Sequence, residues 1–225
     1  LVAEADAPAL DVATSTMPTQ RCAQVAFAGA IHTAVPHALG VQLADGRVLP
    51  EADVVWLPPF AVGTLIALGL NYADHVKELS KELTVTAQDE PLVFLKGPGS
   101  LVGHGGRTRR PGEANFMHYE CELAVVIGRP ARNVKAADAM AFVAGYTVCN
   151  DYAVRDYLEN WYRPNLRVKN RDGGTVLGPW FVPASEVPDP HVVTENGARF
   201  KAHVLRGQNH GLFLDMAEGR RWVRR

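Results

Sequence analysis

The apolar stretches of this chain are short, and turn-forming residues bound nearly all of them. Residues 21–60 hold "VAFAGAIH", "HALGVQLADGRVLP" and "VVWLPPF". "TLIALGLNY" (64–72), "PLVFLKGPGSLVG", "YECELAVVIG" (closed by Gly128), "AADAMAFVAGYTVCND" and "LGPWFVP" follow. Brief apolar runs cut off by Gly, Pro, Asn and Asp read as strands, because an amphipathic helix needs a longer pattern of period 3.6. The step "ADGRV" reads as a tight hairpin turn. "ADHVKELSKEL" predicts a short polar helix with Asp74 as its cap. "AADAMAFVAGYTVCND" starts as a helix and ends as a strand, with Asn150 and Asp151 at its exit, and "AVRDYLENWY" reads as another helix. Strands outnumber helices and do not alternate with them regularly. The expected class is therefore mainly β (α+β), built from mixed or antiparallel sheets. The chain shows no repeat, low-complexity tract, P-loop or dinucleotide glycine pattern.

Charge and composition narrow the function. The 225 residues are 47% hydrophobic and 21% charged, with a formal net charge of -1. That balance predicts no general attraction to nucleic acid or to an anionic membrane. No apolar run approaches the roughly 20 residues of a membrane span. Residues 1–19 are rich in Ala, Thr and Pro, lack a signal-peptide pattern and are expected to be a disordered extension. Residues 20–60 are expected to form a small N-terminal β annex. Cys22, Cys121 and Cys149 are too few and wrongly spaced for a disulfide framework or a zinc finger, which suits a reducing cytoplasm. Cys121 and Cys149 sit in apolar runs and are expected to be small buried hydrophobes.

Carboxylates stand where apolar strands begin and end. Side chains alternate across a strand, so Glu120 and Glu122 face one way, about 7 Å apart along the chain, and Cys121 and Leu123 face the other. Two like charges side by side repel, and burying them is costly unless a cation stands between them. Asp151 is a third carboxylate at a strand end. Without His or Cys at zinc spacing, the three would form an all-oxygen site for a hard cation: Mg²⁺, Mn²⁺ or Ca²⁺. The plainer alternatives are an exposed strand face for the glutamates and a turn or helix cap for Asp151.

Further candidates are weaker on spacing alone. His75 and Glu78 lie three apart, so on a helix they are neighbours able to shuttle a proton, or they simply face water. Lys96 and Lys169 lie beside Gly-rich turns, where each could hold a substrate carboxylate or stand solvated. Arg155 follows Asp151 by four, so on a helix it would share a face and could orient that carboxylate.

Five motifs then occur in order: "ALGLNYADHVKEL", "EPLVFLKGPGSLVG", "HYECELAVVIG", "GYTVCNDYAVRD" and "KNRDGGTVLGPW". Together, over about residues 21–190, they resemble the fumarylacetoacetate hydrolase family. The resemblance implies mixed β-sheets rolled around a central site, usually in a homodimer, with residues 61–190 as the catalytic core. It implies metal ligands at Glu120, Glu122 and Asp151, a catalytic dyad at His75 and Glu78, and an active-site lysine at Lys169. Tyr162, Arg155 and Lys96 follow as substrate-binding residues. The implied chemistry is Mg²⁺-dependent decarboxylation and isomerisation of 2-oxo or 2-hydroxy-dienoic di- and tricarboxylic acids in aromatic catabolism. The substrate would be a small oxo-acid, such as 5-oxopent-3-ene-1,2,5-tricarboxylate or 2-hydroxyhepta-2,4-diene-1,7-dioate. Hydrolysis of a C–C bond in an acylpyruvate is the alternative, as is an inactive truncated subunit. Residues 191–225 lack the T-G-T-P loop usual in the family and are expected to be a divergent tail left by truncation or a frame change, making the core incomplete.

Overall fold

The structure is a computed structural model that describes residues 17–69, 92–157, 166–187, 191–195 and 198–202. The first five strands make one antiparallel sheet: β1 (Ala23–Phe27), β2 (Ala30–His37), β3 (Gly40–Leu43), β4 (Val48–Leu49) and β5 (Val55–Leu57). Their spatial order is β4-β3-β2-β1-β5. Turn chemistry fixes this arrangement. Ala28 and Gly29 both take positive φ, 48° and 81°, as a two-residue turn between twisted strands requires. The expected "ADGRV" hairpin is present. Gly46 at φ 90° donates to the Leu43 carbonyl at 2.9 Å, and Arg47 pairs with Asp45 at 2.6 Å.

Period-two alternation on this sheet builds the core. Ala23 and Val25 of β1, Ala34 of β2, Val41 and Leu43 of β3, Val54, and Trp56 of β5 form one buried cluster. Burying each valine and leucine of this cluster stabilises the fold by about 1.5–3 kcal/mol. Phe27, Leu49 and Trp180 close over it.

A second, mixed sheet carries the candidate acids Glu122 and Asp151. β6 (Leu65–Gly69) and β7 (Leu92–Lys96) pair with each other, and β8 (Leu101–Gly103) follows a 3-10 turn at Pro98–Ser100. Then come β9 (Met117–His118), β10 (Cys121–Ile127), β11 (Val143–Asp151), β12 (Ala153–Val154), the helix α1 (Leu166–Lys169), β13 (Thr175–Leu177) and β14 (Val182–Pro183). The order is β10-β11-β13-β8, with β14 also on β11; β13 runs parallel to β8 and the other pairs are antiparallel. β9 and β12 form a two-stranded ribbon, and β15 (His191–Glu195) pairs with β16 (Ala198–Ala202).

The two larger sheets are tied together at three places. Cys22 and Phe181 exchange backbone hydrogen bonds of 3.1 and 2.7 Å. The rings of Trp56 and Trp180 meet edge to face with centroids 5.1 Å apart. Gly103 of β8 lies so close to β5 that an added Cβ would stand 2.1 Å from the Trp56 carbonyl oxygen.

Most of the class reading holds, and four local readings change. "LGPWFVP" is divided between two strands, because Gly178 takes φ 120° and Pro179 has no N–H for the ladder. The helical start at Ala136–Phe142 is a 3-10 helix. Ala153–Val154 is strand and Arg155–Tyr157 a 3-10 turn rather than the start of a long helix, because the backbone of this segment pairs with Met117–His118. Cys149 is buried but Cys121 is exposed, since it lies on a face of β10 that the described residues leave open. The expected helix after Asp74 lies outside the described residues.

The tight approach at Gly103 gives a stability test. Gly103→Ala should lower the free energy of unfolding by about 1–3 kcal/mol through overpacking against β5. Gly99→Ala, where nothing stands within 4 Å of the added carbon, should change it by roughly 0.5 kcal/mol or less. Urea denaturation of the two variants beside the parent checks both values.

Candidate metal centre

Strand register assembles the site. Cys121 of β10 pairs with Asn150 of β11, and Glu122 pairs with Cys149. One step past that ladder, Asp151 donates its N–H to the Glu120 carbonyl at 2.9 Å, and the Asn150 side chain accepts the Glu120 N–H at 3.0 Å. Glu120 and Glu122 share a face by the pleat, and Asp151 reaches that face from β11. Each of the three offers a carboxylate oxygen within 4.8 Å of the other two. The trio expected from the sequence therefore converges in space.

Three cations surround these acids. Lys169 ends α1 and is 6% exposed; its Nζ lies 2.5 Å from Glu120 Oε2 and 2.9 Å from Asp151 Oδ2. Lys96 ends β7 and is 5% exposed; its Nζ donates to Asp151 Oδ1 and to the Lys169 carbonyl. Arg155 donates through Nη2 to Glu120 Oε1 and through Nε to His118 Nδ1, the latter at 3.3 Å. Arg155 was expected to share a helix face with Asp151. The turn that follows β12 instead carries its guanidinium to Glu120. Lys96 faces Asp151 from within the protein rather than a solvent-open surface, because its whole side chain is buried.

Loop contacts hold the cations in place. The Asn170 side chain accepts the Gly97 N–H and donates to the Leu95 carbonyl at 3.0 Å, so it brackets Lys96 while standing next to Lys169 in sequence. Asp156 accepts the N–H groups of Asn115 and Phe116 at 3.0 and 2.8 Å, which fixes the approach to β9. Those bonds, Phe116 first, hold its carboxyl below the usual carboxylate range. Thr175 of β13, fully buried, meets Ser100 Oγ at 2.8 Å.

Charge is unevenly shared across the trio. Among the described residues, no cationic side chain forms a salt bridge to Glu122. Glu122 as a residue retains solvent access, yet desolvation, then the charges of Asp151 and Glu120, push its carboxyl up to about 7. Burial, followed by the same acidic neighbourhood, pushes the Cys149 thiol up to about 12, which leaves it an uncharged core group. Desolvation draws the Lys96 ammonium below the usual lysine range despite Asp151 beside it.

The donor set suits a divalent cation. It is all oxygen, it gathers three carboxylates, and one of them has no cationic salt-bridge partner among the described residues, so a hard ion fits where a thiophilic one would not. His118, Asn150, Asp156 and Asn170 were not singled out from the sequence as site residues. Only the adjacency of Asn150 and Asn170 to named candidates could have flagged them. His75, Glu78 and Tyr162 lie outside the described residues.

Comparison with known proteins agrees with this architecture. The family described as Fumarylacetoacetate (FAA) hydrolase C-terminal matches residues 64–210, running through β15 and β16 beyond the last of the five motifs. The chain is 59% identical over 152 residues to the 4-hydroxyphenylacetate degradation bifunctional isomerase/decarboxylase of Salmonella dublin, covering 68% of this chain and 34% of that protein. It is 60% identical over 136 residues to the homoprotocatechuate catabolism bifunctional isomerase/decarboxylase of Escherichia coli, covering 60% and 31%. It thus spans about a third of the length of these relatives. Among solved structures, the 5-carboxymethyl-2-hydroxymuconate delta-isomerase of Mycobacterium smegmatis superposes with a TM-score of 0.60 at 32% identity, over 82% of this chain and 75% of that one. With a mostly β fold and a three-carboxylate centre at the family's own motifs, the chain belongs to the fumarylacetoacetate hydrolase family.

Proposed function

We propose that this chain carries the site of a divalent-metal-dependent decarboxylase/isomerase acting on 2-oxo or 2-hydroxy-dienoic di- and tricarboxylic acids. The observation that carries the reading is the convergence of Glu120, Glu122 and Asp151 within 4.8 Å, in a chain 59–60% identical to bifunctional isomerase/decarboxylases. These three residues would hold the ion, Mg²⁺ first and Mn²⁺ or Ca²⁺ as alternatives. When bound, it would supply Lewis-acid polarisation of a substrate oxygen.

The protein's own groups do the remaining work. Arg155 holds one oxygen of Glu120 and so orients that carboxylate. Lys96 does the same for Asp151. Lys169, within reach of both acids, is placed to fix a carboxylate of the oxo-acid and to offset charge that develops on it. His75, assisted by Glu78, moves the proton that interconverts tautomers, and Tyr162 contributes to substrate binding. We further propose that the chain acts as a cytoplasmic homodimer. The exposed apolar row Ile66, Leu68, Val93 and Leu95 on β6 and β7 supports pairing, and three cysteines outside disulfides suit a reducing compartment. Among the described residues, no helix is long and apolar enough to cross a membrane.

Incubation of the full chain and Mg²⁺ with 5-oxopent-3-ene-1,2,5-tricarboxylate, followed by CO₂ release and ultraviolet absorbance, tests the activity. Turnover is expected, and Glu120→Ala should abolish it. Cleavage of an acylpyruvate with the tricarboxylate untouched would replace the proposal with a C–C hydrolase.

The pH dependence follows from Glu122. Its folded-state carboxyl binds a proton that the unfolded chain releases above the ordinary carboxylate range. Its contribution to stability is therefore full at acid pH and is lost as pH rises through about 7. A bound cation favours the ionised form, so cation affinity should rise toward that pH and level off above it. Calorimetric titration of Mn²⁺ in buffers of different ionisation enthalpy should show proton release near ~pH 6, little near ~pH 8 and none in Glu122→Gln.

Lys96 generates a stability prediction. Lys96→Met leaves Asp151 buried with one fewer partner, and should cost about 3 kcal/mol, at the low end for a broken buried pair because Lys169 still faces Asp151. Thermal denaturation should show a lowered Tm, with Mn²⁺ restoring part of the loss.

A further inference from the structure

The ammonium of Lys169 bridges two of the three carboxylates. It lies 2.5 Å from Glu120 Oε2 and 2.9 Å from Asp151 Oδ2, and 3.4 Å from the Asp151 carbonyl oxygen. Lys96 takes the other side-chain oxygen of Asp151, and Arg155 takes the other side-chain oxygen of Glu120. All four side-chain oxygens of these two acids are thus engaged by cations. Among the described residues, with Glu122 included, three positive side chains face three carboxylates. A divalent ion joining this cluster meets a neutralised set of ligands, and it must draw oxygens away from a cation already on them.

Lys169 is the cation able to yield. Lys96 is fixed by its second bond to the Lys169 carbonyl, and Arg155 is fixed by His118. Among the described residues, the ammonium of Lys169 meets the two acids, the Asp151 carbonyl included, and the face of the Phe94 ring, 5.7 Å from Nζ. The ring face can keep an ammonium partly stabilised when it leaves the acids. Its four-carbon stem allows that movement at little cost in geometry. Once a divalent ion shares the cluster, the site holds two positive charges in surplus, which match a chelating dianionic oxo-acid.

Resting on the metal-site reading above, we infer that Lys169 is a built-in competing cation. It neutralises Glu120 and Asp151 until the ion binds, then transfers its ammonium to the oxo-acid, so that the ion and the acid bind as a cooperative pair. Removing a like charge a few ångströms from a bound ion should strengthen binding by about tenfold in a partly screened site.

Mn²⁺ titrated into the full chain, with and without oxalate as a dianionic probe, tests this by calorimetry or by the spin-resonance signal of free Mn²⁺. Without oxalate, Lys169→Met should bind Mn²⁺ about tenfold more tightly than the parent, and Lys169→Arg, which keeps the charge, should match the parent. Oxalate should tighten Mn²⁺ binding more in the parent than in Lys169→Met. Equal or weaker Mn²⁺ binding by Lys169→Met would overturn the inference and leave the metal site standing. No Mn²⁺ binding by parent or variant would overturn both. If Lys169→Met does not fold, acetic anhydride labelling of the parent decides. Mn²⁺ alone should speed acetylation of Lys169 several-fold and added oxalate should slow it again, while a rate unchanged by Mn²⁺ would sink the inference.

Discussion

Carboxylates on adjacent strands repel each other, and the fold brings three of them together regardless. What makes this possible is the β10–β11 register, anchored by the Asp151 N–H to the Glu120 carbonyl, together with the ring of cations that meets the acids. A shift of one residue in that register would turn Glu120 and Glu122 to the opposite face of the sheet. The rest of the second sheet can be understood as support for that register. β13 braces the far side of β11, Thr175 and Ser100 join β13 to the turn before β8, and β8 abuts the first sheet at Trp56. Stability of the N-terminal core and alignment of the acids are therefore coupled through a short series of packed strands.

The electrostatics of the centre divide its residues by task. All four side-chain oxygens of Asp151 and Glu120 meet cations, and under the proposed reading these two would form the more constrained part of the ligand set. Glu122 has no cationic salt-bridge partner among the described residues, and desolvation, then the like charges of Asp151 and Glu120, leave a carboxyl that holds its proton to near neutrality. Cys149, opposite Glu122 in the register, shares its face and is kept uncharged by the same surroundings. One sheet face thus holds the acids and a neutral thiol side by side.

Much of this was legible in the sequence. Period-two alternation placed Glu120 and Glu122 on one side, the "VCND" strand end marked Asp151 as a third candidate, and the family resemblance joined it to them. The tight turn at Asp45–Gly46 was likewise readable from turn chemistry. The unread features depend on pairing across the chain. Asp156 clamps the backbone of Asn115 and Phe116, and no local pattern announces such a bond. Arg155 finds Glu120 because β12 pairs with β9, which overrides the helical spacing that pointed it to Asp151. Cys121 was misjudged because an apolar run signals a strand but not which of its faces is covered; Leu123, Val125 and Ile127 on the same strand are exposed as well.

The Asn170 amide has a mechanical consequence. It grips the chain on both sides of Lys96, at Leu95 and Gly97, and it is joined by a peptide bond to Lys169. The two lysine backbones are therefore yoked, so a displacement of α1 drags the end of β7 along with it. Only the flexible stem of Lys169 remains independent, because the Lys96 ammonium is itself tied to the Lys169 carbonyl. The positive side of the centre behaves as a single rigid jaw with one movable tip, and its bite is set by the span of one side-chain amide.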